Sequence, residues 1–286
     1  MATMSRASIA LLTLLAMLAF AGNSLLCRLA LKNTSIDAAS FTSIRLIAAA
    51  ITLWVLVRAG RKSGLAGGNW LSALALFAYA AGFSFAYINL TAATGALLLF
   101  GSVQVSMISY GIVKGERLLG LQLLGLVLAL GGLTGLLLPG LAAPPLVSSL
   151  LMIGAGVAWG VYSLRGRGAG DPTVVTAGNF LRTVPVTILL SLLMLQHVSL
   201  DSSGMLYAIL SGAVTSGMGY AIWYKALPAL KATHAATVQL SVPVIAALGG
   251  IILLGETLTL RFVLASLAIL CGIAMVIFEK SKSKNA

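Results

Sequence analysis

Hydrophobic runs closed by charge, proline or glycine recur along the whole chain. They predict ten membrane-spanning helices at about 8–31, 38–57, 70–88, 93–113, 118–138, 147–165, 173–195, 204–224, 233–254 and 259–278. No charged side chain occurs from Ser63 to Val113 or from Leu118 to Leu164. Each stretch is about twice the ~20 residues one crossing needs, so each holds two spans. The first run follows Arg6 as a secretory leader would. It continues through Leu31 without a small-residue cleavage site, which reads as an uncleaved span.

The pattern also repeats. Residues 94–116 end on Gly115-Glu116, and residues 234–256 end on Gly255-Glu256, 140 positions later. The same offset pairs Leu118 with Leu258, Leu124 with Leu264 and Gly132 with Gly272. Ala21-Gly22 answers Trp159-Gly160, Arg45 answers Arg182, and Tyr87-x-x-Leu90 answers Tyr224-x-x-Leu227, at offsets of 137 or 138. Two halves, 1–140 and 141–286, each hold five spans on this reading. Five is odd, so the second half enters the membrane from the other side: an all-α polytopic fold of two inverted repeats, the plan of many secondary transporters.

Composition agrees. Of 286 residues 59% are hydrophobic and 8% charged, against about 25% charged in soluble domains. The net charge of +12 does not point to nucleic acid, because the basic residues are scattered in short loops and aromatics make up only 7%. With the N-terminus in the cytoplasm, thirteen of the 18 Lys and Arg fall on the cytoplasmic side; Arg28, Lys32 and Arg261 fall opposite. The positive-inside rule then puts both termini in the cytoplasm of a plasma (inner) membrane protein. Cys27 and Cys271 lie in apolar runs without metal-like spacing and pack as small apolar groups. Nothing calls for a metal or cofactor, and a monomer suffices.

The ten-span plan, Trp159-Gly160 in the first helix of a repeat, the mid-helix Arg45 and Arg182, and the Gly-Glu-x-Leu turns at 115–118 and 255–258 resemble the drug/metabolite transporter superfamily. Within it the EamA-type exporters are most similar over the whole chain, and the overall character resembles the YddG-type exporters of aromatic amino acids. Ala21 departs from the pattern, since such proteins commonly carry tryptophan there. The resemblance implies a bacterial inner-membrane exporter of small metabolites by alternating access, not an enzyme.

Candidate site residues are the polar and aromatic groups inside spans, because such groups face the bundle interior. Tyr79, Trp159 and Tyr220 fall near mid-span and are candidates to line an aromatic cavity. Gln104, Gln239 and Asn23 are uncharged hydrogen-bonders at membrane depth, able either to glue helices or to read a substrate. Tyr224 and Trp70 read as interfacial anchors. Arg45 and Arg182 are expected to hold packing by bonding helix-end carbonyls, with a substrate carboxylate as the alternative. The junctions 88–95 and 226–238 would present helix N-termini to an anionic group. Pro243 is a bending point, and Glu116 and Glu256 are expected to cap the helices that follow them.

All six acids sit in loops or at span ends, so transport is expected to be facilitated or to use a route without a buried acid. His234 is the one histidine within a predicted span and is a further candidate substrate contact. The expected partners are a small-molecule substrate, most readily an aromatic or other apolar amino acid, and membrane lipid. Drugs or other metabolites are the alternative cargo. A membrane enzyme would need acidic clusters or a nucleophile with its base, and neither constellation is present.

Overall fold

The computed structural model describes residues 5–60, 67–115, 120–140, 143–166, 169–230 and 232–283. Among the described residues ten helices long and apolar enough to cross a membrane follow one another. They are α1 (Arg6–Asn33), α2 (Ala38–Ala59), α3 (Trp70–Tyr87), α4 (Ala92–Val113), α5 (Gly120–Leu137), α6 (Leu146–Gly166), α7 (Pro172–Leu193), α8 (Ser202–Ala229), α9 (232–254) and α10 (Leu260–Ser283). No strand occurs among the described residues. The chain is an all-α, polytopic membrane protein. The predicted spans agree with these helices to within a few residues, except that the predicted start of the fifth, at 118, lies outside the described residues.

Short polar residues start the helices by accepting from otherwise unpaired backbone N–H groups. Asp37 takes the amides of Ala39 and Ser40, Thr91 that of Thr94, and Asp201 that of Gly204. Asp37 also accepts from the Ser199 amide at 2.9 Å, tying the loop before α2 to the loop before α8. Partial burial raises the Asp37 carboxyl, but these donors outweigh it and hold its pKa below the usual carboxylate value. Gly115 (φ +90°) and Gly255 (φ +62°) end α4 and α9 in the left-handed region, which glycine adopts without a Cβ penalty.

Two helices are irregular. In α8 the segment Ser211–Met218 is π-helical, between the α-helical Ser202–Leu210 and Gly219–Ala226. In α9 the pieces Ala232–Gln239 and Ser241–Leu254 are separated at Leu240. Pro243 explains that break, because it has no N–H for the Gln239 carbonyl four residues back and its ring crowds that carbonyl.

The bundle exposes apolar side chains and keeps its intramembrane polar groups inside, among a largely apolar core, as a lipid solvent requires. Leu123, Leu124 and Val127 of α5 and Leu264 and Leu267 of α10 are exposed; Asn23, Thr42, Ser84, Gln104 and Asn179 are buried. One group is α3 and α4 packed on α6, and another is α8 and α9 packed on α1. α2 and α7 pack on each other, α2 also on α8 and α7 on α3. α5 and α10 form a close pair at one edge, touching the bundle chiefly through α4 and α9. The linkers alternate between two faces. We call the one with residues 67–69, 114–115 and 169–171 the terminal face, and the one with 34–37, 88–91 and 255–259 the far face.

Candidate functional site

The two helix groups face each other across a cavity of ≈440 Å³. α4 and α6 supply one wall with Phe100, Val103, Gln104, Met107, Trp159, Tyr162 and Ser163. α1, α8 and α9 supply the other with Phe20, Tyr220, Trp223, Tyr224, Leu227, Ala235 and Gln239, and α7 adds Val175 and Thr176. The cavity reaches the terminal face, where its rim includes the exposed Gly166 and Pro172. Among the described residues no charged side chain lines it.

Aromatic rings make the walls. Phe20 meets Trp159, Tyr220 and Trp223 edge-on at centroid distances of 5.8–6.1 Å, and Trp159 lies 5.5 Å from Phe100. The side-chain amides of Gln104 and Gln239 have no protein partner among the described residues, so both are free to bond a solute. The α9 break sets Gln239 at the end of its first helical piece.

At the blind end the cavity adjoins a pocket of ≈10 Å³, and Phe20, Phe100, Trp159 and Tyr220 line both spaces. Asn23, Tyr79, Phe83, Leu99, Thr215 and Ser216 complete the pocket. The hydroxyl of Tyr79 accepts from Arg45 Nη2 at 3.0 Å and from Asn23 Nδ2 at 3.1 Å. Asn23 Oδ1 accepts from Ser211 Oγ at 2.7 Å, in the π-helical segment of α8. Arg45, 2% exposed, lies over the rings of Phe83 (4.7 Å) and Tyr79 (5.4 Å). Its Nε and Nη1 have no hydrogen-bond partner, nor has the buried hydroxyl of Tyr220.

Of the predicted site residues, Gln104, Trp159, Tyr220 and Gln239 come together in the cavity, with Tyr79 and Asn23 at its blind end. His234 does not join them. It is exposed and lines a lateral groove with Arg6, Thr13 and Met17 of α1. Tyr224 is a cavity residue rather than an interfacial anchor, stacked 6.0 Å from Tyr220; Trp70 is exposed at the start of α3. Arg182 bonds carbonyls as expected, those of Gly67 (2.7 Å) and Gly178 (2.9 Å). Arg45 bonds a phenol instead. Pro243 is buried just beyond the α9 break.

The far face is closed over the blind end. Arg28 Nε lies 3.3 Å from Glu256 Oε1, and its Nη1 donates to the carbonyls of Tyr87 (2.9 Å) and Ile88 (2.8 Å). Glu256 Oε2 accepts from the Ala92 amide at 2.8 Å. Glu256 therefore caps α4 and not the α10 that follows it, because α9 packs on α4 and its end lies beside the α4 start. That corrects a further expectation: the α4 N-terminus is taken by Glu256 and Thr91, not offered to a solute. Glu116 lies outside the described residues. Phe20, Phe100 and the Arg28 end of α1 had no sequence signal that singled them out.

The fold is a polytopic helical bundle that encloses a solute-sized cavity, open at the terminal face and closed at the far face. The C-terminal half of the chain carries a domain of the EamA-like transporter family. Residues 146–278 match that family, and the chain is 58% identical over 268 residues, 93% of each chain, to the uncharacterized protein PA1977 of Pseudomonas aeruginosa. It is also 34% identical over 149 residues to the threonine/homoserine exporter RhtA of Escherichia coli (strain K12), a match covering 49% of each chain. A crystal structure of a protein 19% identical in sequence superimposes with a TM-score of 0.66, over 95% of this chain and 98% of that one. That likeness is one of fold.

Proposed function

We propose that the protein exports amino acids, aromatic or other apolar ones first, across the bacterial inner membrane by alternating access. The cavity carries this reading. Its ≈440 Å³ is within the roughly 300–1,000 Å³ of small-ligand sites, and its rings and two free amides suit an apolar side chain on a polar backbone. With both termini cytoplasmic, as the distribution of Lys and Arg implies, the open terminal face would load solute from the cell interior. The halves 1–140 and 141–286 would be the inverted repeats that supply the two alternating faces.

A second reading, for small hydroxylated amino acids, draws on the RhtA likeness and on the hydroxyls of Ser163 and Thr176 in the cavity wall. Counterflow into proteoliposomes preloaded with unlabelled amino acid separates the two. Saturable exchange of labelled phenylalanine, tryptophan or methionine over threonine is expected. Exchange of threonine alone would favour the second reading, and no saturable flux of any of the four would end both.

A further inference from the structure

The blind end of the cavity holds a set of hydrogen-bond donors with no acceptor to match them. A phenol oxygen has one proton to give and two lone pairs to receive with. In Tyr79 both lone pairs are taken, one by Arg45 and one by Asn23. Asn23 is oriented by the Ser211 hydroxyl, which gives its proton to Oδ1. The Tyr79 proton is left over. Across the same small pocket stands Tyr220, 5% exposed and with an unpartnered hydroxyl. Behind Tyr79 lies the Arg45 charge. Among the described residues the only ion pair is Arg28–Glu256, so no carboxylate there balances Arg45. An unbalanced charge at membrane depth is costly unless a ligand or function meets it.

Resting on the export reading above, we propose that this blind end is the carboxylate subsite, where one oxygen of the substrate carboxylate accepts from the hydroxyls of Tyr79 and Tyr220. The pocket of ≈10 Å³ admits about one oxygen-sized group, while the ≈440 Å³ cavity that shares four of its walls takes the rest of the molecule. Arg45 does not line either space and is a positioning residue. By donating to the phenol oxygen it turns the Tyr79 proton outward and strengthens it as a donor, and its charge favours an anion in front of it. The rings of Phe83 and Tyr79 hold the guanidinium in place without neutralising it. Substrates with a free carboxylate are therefore selected over the corresponding amides and amines, whatever their side chain.

The test is binding to the full-length protein in detergent, read by tryptophan fluorescence, since Trp159 lies 5.0 Å from the Tyr79 ring. The probes are phenylalanine, phenylacetate, phenylalaninamide and phenethylamine, with Trp159→Phe identifying the responding signal. Wild type is expected to bind phenylalanine and phenylacetate about tenfold or more tighter than phenylalaninamide and phenethylamine, which lack the carboxylate. Tyr79→Phe and Tyr220→Phe should shrink that ratio to about twofold, and Arg45→Gln should do the same through affinity, not through the amount of folded protein. A merely structural Arg45 or Tyr79 would lower stability and leave the ratio unchanged, and that result would overturn the proposal. Equal binding of phenylalanine and phenylalaninamide by wild type would overturn it too. The readout is independent of flux: carboxylate binding that depends on Tyr79, in a protein with no amino acid exchange, would remove the export reading and keep the subsite.

Discussion

Gln104 and Gln239 show how much one residue type can reveal in a membrane chain. Each stands out as an amide in an apolar run, and the fold brings both to the same cavity with their side-chain amides unpaired. A neutral hydrogen bond is worth a net ~0.5–1.5 kcal/mol, so Gln104→Ala or Gln239→Ala should raise the half-saturation concentration of exchange about 2- to 10-fold. Folding should be unaffected, because neither amide bonds protein. His234→Ala should leave exchange unchanged, since that side chain faces the lateral groove. Rings behave differently from amides. Phe20 and Phe100 line the cavity, yet in the sequence they are indistinguishable from phenylalanines that face lipid. Glu256 was legible as a helix cap but not as the cap of α4, because local sequence cannot say which helix start lies beside a given turn.

At the scale of elements, span positions follow from hydrophobic length, whereas irregularities follow from neighbours. The α9 break could be read from Pro243. The π-helical segment of α8 could not, since it lies where the helix presses on α2: a Cβ on Gly212 would collide with the Arg45 carbonyl, and one on Gly217 would sit 2.9 Å from Thr52. Other glycines mark contacts of the same kind. Gly125 and Gly272 face each other across the α5–α10 pair, where a Cβ on Gly125 would lie 2.5 Å from the Gly272 carbonyl oxygen. Such crossings need small residues because backbones must approach closely. Gly272→Leu should therefore overpack the pair, at a cost of about 1–3 kcal/mol or more, seen as a lower midpoint of thermal aggregation in detergent. Gly131→Ala, on the same α5 but with open space at its Cβ, should be neutral or slightly stabilising.

At the scale of the whole molecule, the principal helix contacts map onto one another when each helix n is exchanged with n + 5. α3–α6 answers α8–α1, α4–α6 answers α9–α1, α2–α8 answers α7–α3, and α4–α5 answers α9–α10. The proposed inverted repeat would give such an exchange. The groups that face across the cavity draw on both halves, because α1 packs with α8 and α9 while α6 packs with α3 and α4. The far-face latch joins those groups: Arg28 of α1 and Glu256 beyond α9 on one side, the carbonyls of Tyr87 and Ile88 and the Ala92 amide on the other. Opening the far face must break it. Glu256→Gln weakens both of its charged contacts, and should raise the labelling rate of the buried Cys27, one residue before Arg28, by a membrane-impermeant maleimide. A Cys271→Ser background removes the exposed thiol. The offset of 140 pairs Glu256 with Glu116 and Ala92 with Ala232, and Arg165 lies one residue before the position that answers Arg28 at the first helix's offset of 138. In this terminal-open conformation Arg165 instead bonds Ser72 (3.2 Å) and Asn69 (3.1 Å). If the terminal face closes by the mirrored latch, Glu116→Gln should hold that face open and slow Cys27 labelling, opposite in sign to Glu256→Gln. Equal effects from the two variants would separate the latch from the repeat and leave Glu256 a cap for α4 and nothing more.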